Sequence, residues 1–199
     1  MSEIKANKLS PATGTALQLG DASDVITIPS NCTITNNGTA NGFGGGKMLQ
    51  VVSTTKTDTF TTSTTGSWVD ITGLSVAVTP SATSSKILVL YSVLGELGSA
   101  AYSFGLRMVR ESTGINVGGA ASSRTQASGA IDSYGGTGSI SYRSHSDVFL
   151  DSPSTTSATT YKIQGLGSAA WYVNRNSTDG DTSSAMRTTS SITVIEIGA

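Results

Sequence analysis

Apolar residues recur along this chain in two different ways. In residues 1–46 they come as short pairs, Leu17-x-Leu19, Ile26-x-Ile28 and Cys32-x-Ile34, roughly every eight or nine residues. Turn chemistry separates the pairs: Gly20-Asp21, Pro29-Ser30 and Asn36-Asn37-Gly38. A unit this short buries nothing by itself, and so few units do not make a stable solenoid. The pattern predicts a short repeat stalk in which several chains share each layer, or an extended arm. Gly42-Phe43-Gly44-Gly45-Gly46 then reads as a hinge.

From residue 47 the period changes to two. Candidate strands are Met48–Val52, Thr57–Thr62, Ser67–Ile71, Leu74–Val78, Lys86–Leu94, Tyr102–Arg110, Ile115–Val117, Ser139–Leu150, Thr159–Gln164, Ala170–Val173 and Ser191–Ile197. In Tyr102–Arg110, Tyr102, Phe104, Leu106 and Met108 alternate with Ser103, Gly105, Arg107 and Val109. Short strands with frequent turns, and no helical stripe, predict an all-β fold with a β-sandwich or jelly-roll knob over residues 47–199.

Composition sharpens this. Gly, Ser and Thr number 23, 32 and 29 of 199 residues, while charged residues are 13 %. Thr favours strands and Gly favours turns. Strands so poor in large apolar residues bury little per chain, which favours a trimer that pools its apolar faces and covers strand edges. A net charge of −1 gives no basic field for nucleic acid or an anionic membrane. Residues 1–5 carry no apolar signal core, and no apolar run approaches a bilayer span. One Cys and one His exclude an internal disulfide framework and a Cys/His zinc cage. Little is left for general acid–base work, so no catalytic residues, metal or cofactor are expected.

The remaining motifs read as follows. Asn41 and Met48 break the phosphate-loop pattern around Gly42–Lys47. Gly165-Leu166-Gly167-Ser168-Ala169-Ala170 matches a dinucleotide fingerprint in letters, but strand-like Trp171-Tyr172-Val173 follows where a helix is required, so a turn is expected there. His145 and Asp147 share one side of a strand and Ser144 and Ser146 the other, as on a polar solvent-facing or intersubunit strand. The oxygen-rich loop 174–181 lacks calcium-loop spacing. Cys32 is expected to be buried, and Trp68 is expected in the core. Three sequons begin at Asn31, Asn37 and Asn176; without a signal peptide they are expected to be coincidences of a Ser/Thr-rich chain. Trp171 and Tyr172 beside Asn174, Arg175, Asn176, Asp179 and Asp181 form the candidate glycan site. An aromatic face can stack on a sugar ring while amide, guanidinium and carboxylate groups meet its hydroxyls. On a strand only one of the two rings lines such a site.

The run Ser2-Glu3-Ile4-Lys5-x-Asn7-Lys8-Leu9-Ser10-Pro11-Ala12-Thr13-Gly14-Thr15-Ala16 resembles the N-termini of fibre-like virion proteins of tailed phages, notably cyanophages and marine phages. Leu19–Ser30, Thr33–Ala40, Phe60–Pro80 with its Trp68–Val76 core, Ser84–Val89 and the closing Ile192–Ile197 continue it, so the first 94 residues and the last eight are covered. The resemblance implies a homotrimeric tail fibre with a virion location. Ile4, Leu9, Pro11, Leu17 and Leu19 would attach to another virion protein, and the knob would contact a host surface glycan. It implies production in the host bacterial cytoplasm without a signal peptide. A capsid cement or head-decoration protein is the alternative. A polysaccharide-degrading enzyme would need paired carboxylates, for which Asp147 with Asp151 and Asp179 with Asp181 are the near pairs.

Overall fold

The computed structural model describes residues 47–98, 103–132 and 142–198, and toward the N-terminus residues 13–14, 21, 23–25, 27 and 29–33. The chain divides into two compact units, residues 1–43 and 44–199. In the first, two turns close: Asp24 N–H donates to the Asp21 carbonyl (3.1 Å) and Cys32 N–H to that of Pro29 (3.2 Å). Cys32 is exposed rather than buried. Ile4, Leu9, Pro11, Leu17 and Leu19 lie outside the described residues.

The second unit is all-β among the described residues. Its strands are β1 (Met48–Lys56), β2 (Phe60–Thr62), β3 (Val69–Val78), β4 (Lys86–Leu97), β5 (Ser103–Arg110), β6 (Thr113–Ile115), β7 (Gly129–Asp132), β8 (Arg143–Asp151), β9 (Thr159–Gly167), β10 (Trp171–Val173) and β11 (Ser190–Ile197). The two stretches expected between Ser67 and Val78 are one strand, β3, with a register shift between Asp70 and Ser75 that absorbs Thr72-Gly73. β7 carries only Ile131 as a large apolar residue and gave no periodic signal.

Register reduces these strands to eight lanes. On one edge of β4, β11 pairs along Lys86–Ser92 and β10 along Gly95–Leu97; on the other edge lies β8. β1 flanks β11 and β2 flanks β10. The first sheet therefore has four lanes: β1/β2, β11/β10, β4 and β8. The second has β3, β9, β5 and a lane shared by β6 and β7. All these pairings are antiparallel.

One hydrophobic cluster fills the space between the sheets. The period-two residues supply it: Phe104, Leu106 and Met108 of β5 and Val89, Tyr91 and Val93 of β4 all belong to it. At one end Trp171 lies flat on β9 over Gly165 and Gly167, where a Cβ would approach the indole to 2.6 and 2.5 Å. Phe104 stacks on its ring at 5.2 Å and 15°, and Phe60 at 5.2 Å and 39°. The Gly165-x-Gly167 pair is thus strand rather than turn, and its lack of side chains makes room for the indole.

Three buried carboxylates brace this frame. Glu196 of β11 accepts hydrogen bonds from Gln50 Nε2 (2.6 Å) and from Ser81 N and Oγ (each 2.7 Å). Asp151 accepts two from Arg110 Nη1 (2.8 Å) and one from Tyr161 (2.7 Å), joining β8 to the second sheet. Glu96 accepts from Ser177 N and Oγ (3.0 and 3.1 Å), joining β4 to the loop after β10.

Candidate functional site

β10 and β11 occupy one lane, and residues 174–189 form an excursion between them. Its base is tied tightly. Asn174 takes a left-handed conformation (φ 61°) that Asn tolerates better than most residues. Its Nδ2 donates to the carbonyls of Lys56 and Asp58 (both 2.9 Å), and its Oδ1 accepts from Ser190 Oγ (2.7 Å). Lys56, itself buried, ion-pairs with Asp58 at 2.9 Å. Asn176 Oδ1 accepts from Asp179 N (2.7 Å) and closes the next turn.

Above this base sits a polar cluster. The Arg175 guanidinium lies 4.9 Å from the Tyr172 ring centroid. Asp179 is held by Arg175 Nη1 (3.2 Å) and Arg187 Nη2 (2.7 Å). Asp181 is exposed. Trp171 and Tyr172 point opposite ways, Trp171 being fully buried. Of the seven residues picked from sequence, Trp171, Asn174 and Asn176 lie buried and build the loop. Tyr172, Arg175, Asp179 and Asp181 are not buried, and Arg187 joins the cluster through Asp179. A position twelve residues beyond Arg175 gave no sequence signal of its own.

A second aromatic position lies elsewhere. Trp68 precedes β3 and is half-buried rather than part of the core. Its indole covers Gly105 on the outer face of the second sheet, 3.3 Å from where an outward Cβ would lie. Arg107 stacks on that ring at 4.4 Å. From there a polar row crosses the sheet: Arg107 Nε to Gln164 Oε1 (2.8 Å), and Gln164 Nε2 to Asp70 Oδ1 (2.6 Å). Lys162 Nζ reaches the other oxygen of Asp70 (2.7 Å). Burial pushes Asp70 up, but the bonds from Lys162 and Gln164 more than offset it and hold its carboxyl below the ordinary range. Ring, guanidinium, amide and carboxylate thus meet on one face. Trp68 was expected in the core; the alternation holds through Trp68-Val69-Asp70-Ile71, but it sets Trp68 on the outer side with Asp70 while Val69 and Ile71 turn to the core.

His145 and Asp147 share a side of β8 as expected, but that side faces between the sheets, not solvent. His145 stacks on Tyr91 (5.8 Å, 21°), with Tyr91 Oη and His145 Nδ1 3.0 Å apart. Asp147 accepts from Asn116 Nδ2 (2.7 Å). Burial, then the nearby Asp147 charge, push the Tyr91 hydroxyl pKa up. Among the described residues, no group of three or more His, Cys, Asp or Glu is placed to hold a metal ion. No described helix is long and apolar enough to cross a membrane.

The chain matches no family model and no curated protein.

Proposed function

We propose that this chain is a non-catalytic virion protein of a tailed phage, a homotrimeric tail fibre whose C-terminal knob contacts a host surface glycan. In this reading residues 1–46 form the stalk or arm that attaches to another virion protein, and residues 47–199 form the knob. One observation carries the architectural part. The eight lanes run 1-8-3-6 across the first sheet and 2-7-4-5 across the second, numbered by first appearance in the chain. This order supports the jelly-roll reading, an architecture used by viral capsid and lectin domains. Fold alone assigns no function; the virion assignment rests on the N-terminal resemblance.

The non-catalytic reading is supported by how the carboxylates are used. Asp151 is engaged by Arg110 and Tyr161, Asp147 by Asn116, and Asp179 by two arginines. Each is a structural partner rather than a free acid or base.

The glycan reading is tested by screening the full chain on a glycan array, alongside Tyr172→Ala and Trp68→Ala variants. Binding lost in Tyr172→Ala places the sugar at the loop cluster. Binding lost in Trp68→Ala alone places it on the second sheet, a reading favoured by the ring, guanidinium and carboxylate row there. No binding by the wild-type chain overturns the glycan assignment. Antibody labelling of virions through the knob separates tail fibre from head decoration by where the label sits. Release of reducing ends from host polysaccharide would overturn the non-catalytic reading.

A further inference from the structure

The two sheets turn very different outer faces away from the core. The second sheet's face carries Asp70, Lys162, Gln164 and Arg107. Along its four full-length strands the first sheet's face carries two charged residues, one toward each end of β4: Lys86, which donates to Ser152 Oγ (2.7 Å), and Glu96, which is buried against Ser177. Register sets one apolar row across all four lanes: Val51 pairs with Ile195, Ile195 with Leu88, and Leu88 with Leu150. In the next row Leu90 and Val148 continue it on two lanes, beside Thr193 and Ser53 on the other two. Val51, Val148 and Leu150 are 57, 54 and 50 % exposed.

β8 makes the point most sharply. Its outward positions include Val148 and Leu150, while His145, Asp147 and Asp151 point inward and find polar partners there. A solvent-facing edge strand has the opposite polarity and often carries charge. This one is built as though both sides were covered.

We propose that the outer face of the first sheet is the surface through which copies of this chain pack against one another. It rests on the reading above only in taking the chain to self-associate. A second copy is the occupant the face suits. A near-neutral apolar face packs on its own copy without like-charge repulsion and offers a charged partner nothing to pair with. Its size also fits. Four lanes about 4.8 Å apart and nine residues long give about 600 Å² per copy, so pairing two buries more than about 1,000 Å², the lower bound for a specific contact.

The test is the solution mass of the full chain by light scattering across a dilution series, for wild type and two variants. Val148→Glu with Leu150→Glu charges the first sheet's face. Ser75→Glu with Ala77→Glu places the same charge on exposed positions of β3 in the second sheet. The inference expects an assembled wild type, an assembled β3 variant, and a β8 variant whose dissociation constant rises about a hundredfold or more. If the β8 variant does not fold, Val148→Ser with Leu150→Ser repeats the comparison without added charge. Assembly unchanged in the β8 variants overturns this surface but leaves self-association standing. A monomeric wild type overturns both. A monomer whose first-sheet face is protected from labelling, with residues 1–43 present, instead identifies that segment as the cover.

Discussion

Gly165→Ala is the sharpest probe of the core. An alanine Cβ at this position lies 2.6, 2.9 and 3.0 Å from three carbons of the Trp171 six-membered ring. Carbon atoms in contact sit about 3.5–4.0 Å apart, so the indole must retreat by about 1 Å. It has nowhere to go. Trp171 is fully buried, Phe104 and Phe60 hold its ring, and Gly167 lies beneath its other end. Overpacking of this kind costs about 1–3 kcal/mol, and the better strand propensity of Ala returns less than about 1 kcal/mol. A net loss of about 2 kcal/mol lowers the melting midpoint of a domain this size by about 4–8 °C. Urea unfolding at fixed protein concentration measures it, with an unchanged slope confirming two-state behaviour. Trp171→Phe removes the part of the ring that an alanine at 165 meets. The double variant should therefore be more stable than the two single losses predict, by at least about 1 kcal/mol. A Gly165→Ala protein that melts with the wild type, or single effects that add within about 0.5 kcal/mol, would refute the packing argument.

Other outcomes follow from the polar braces. Burial pushes the Glu196 carboxyl up, but hydrogen bonds from Gln50 and Ser81 outweigh it and hold the pKa at about 2, against an ordinary 4.5. The stabilisation is complete above the unfolded-state value and is lost as pH falls from about 5 toward about 2, so Glu196→Gln should melt lower near neutrality and show a shallower acid decline. Asn174→Ala leaves the Lys56 and Asp58 carbonyls without their donor and puts Ala at φ 61°; a loss of about 1–3 kcal/mol and faster proteolysis within residues 174–189 are expected. Arg187→Ala removes one of the two cations on Asp179, so glycan binding at the loop cluster should weaken while the melting midpoint moves by less than about 1 kcal/mol equivalent, this ion pair being partly exposed.

The strands were legible wherever one face alternates cleanly. Phe104, Leu106 and Met108 declare β5 without help, and Trp171 and Tyr172 declare opposite sides of β10. What escaped notice depends on partners far away in the chain. Gly165 and Gly167 look like turn residues until Trp171 lies on them. β8 looks like a polar surface strand until Tyr91, Asn116, Arg110 and Tyr161 meet its inward side. Asn174 and Asn176 look like ligand-binding amides, because sequence does not distinguish an amide facing solvent from one closing a loop base. Trp68 looks like a core residue until Gly105 and Arg107 meet it on the outer side that it shares with Asp70.

The divided lanes have a consequence for how this molecule can change. Val173 pairs with Gly95 and Ser191 with Ser92, so the 174–189 excursion leaves and rejoins β4 within about 10 Å. Residues 116–128 do the same beside β5, departing opposite Met108 and returning opposite Leu106. A detour that starts and ends on the same neighbour can lengthen, shorten or be replaced without sliding any other strand. These two segments are therefore places where the chain can vary its exterior rapidly while its interior stays still.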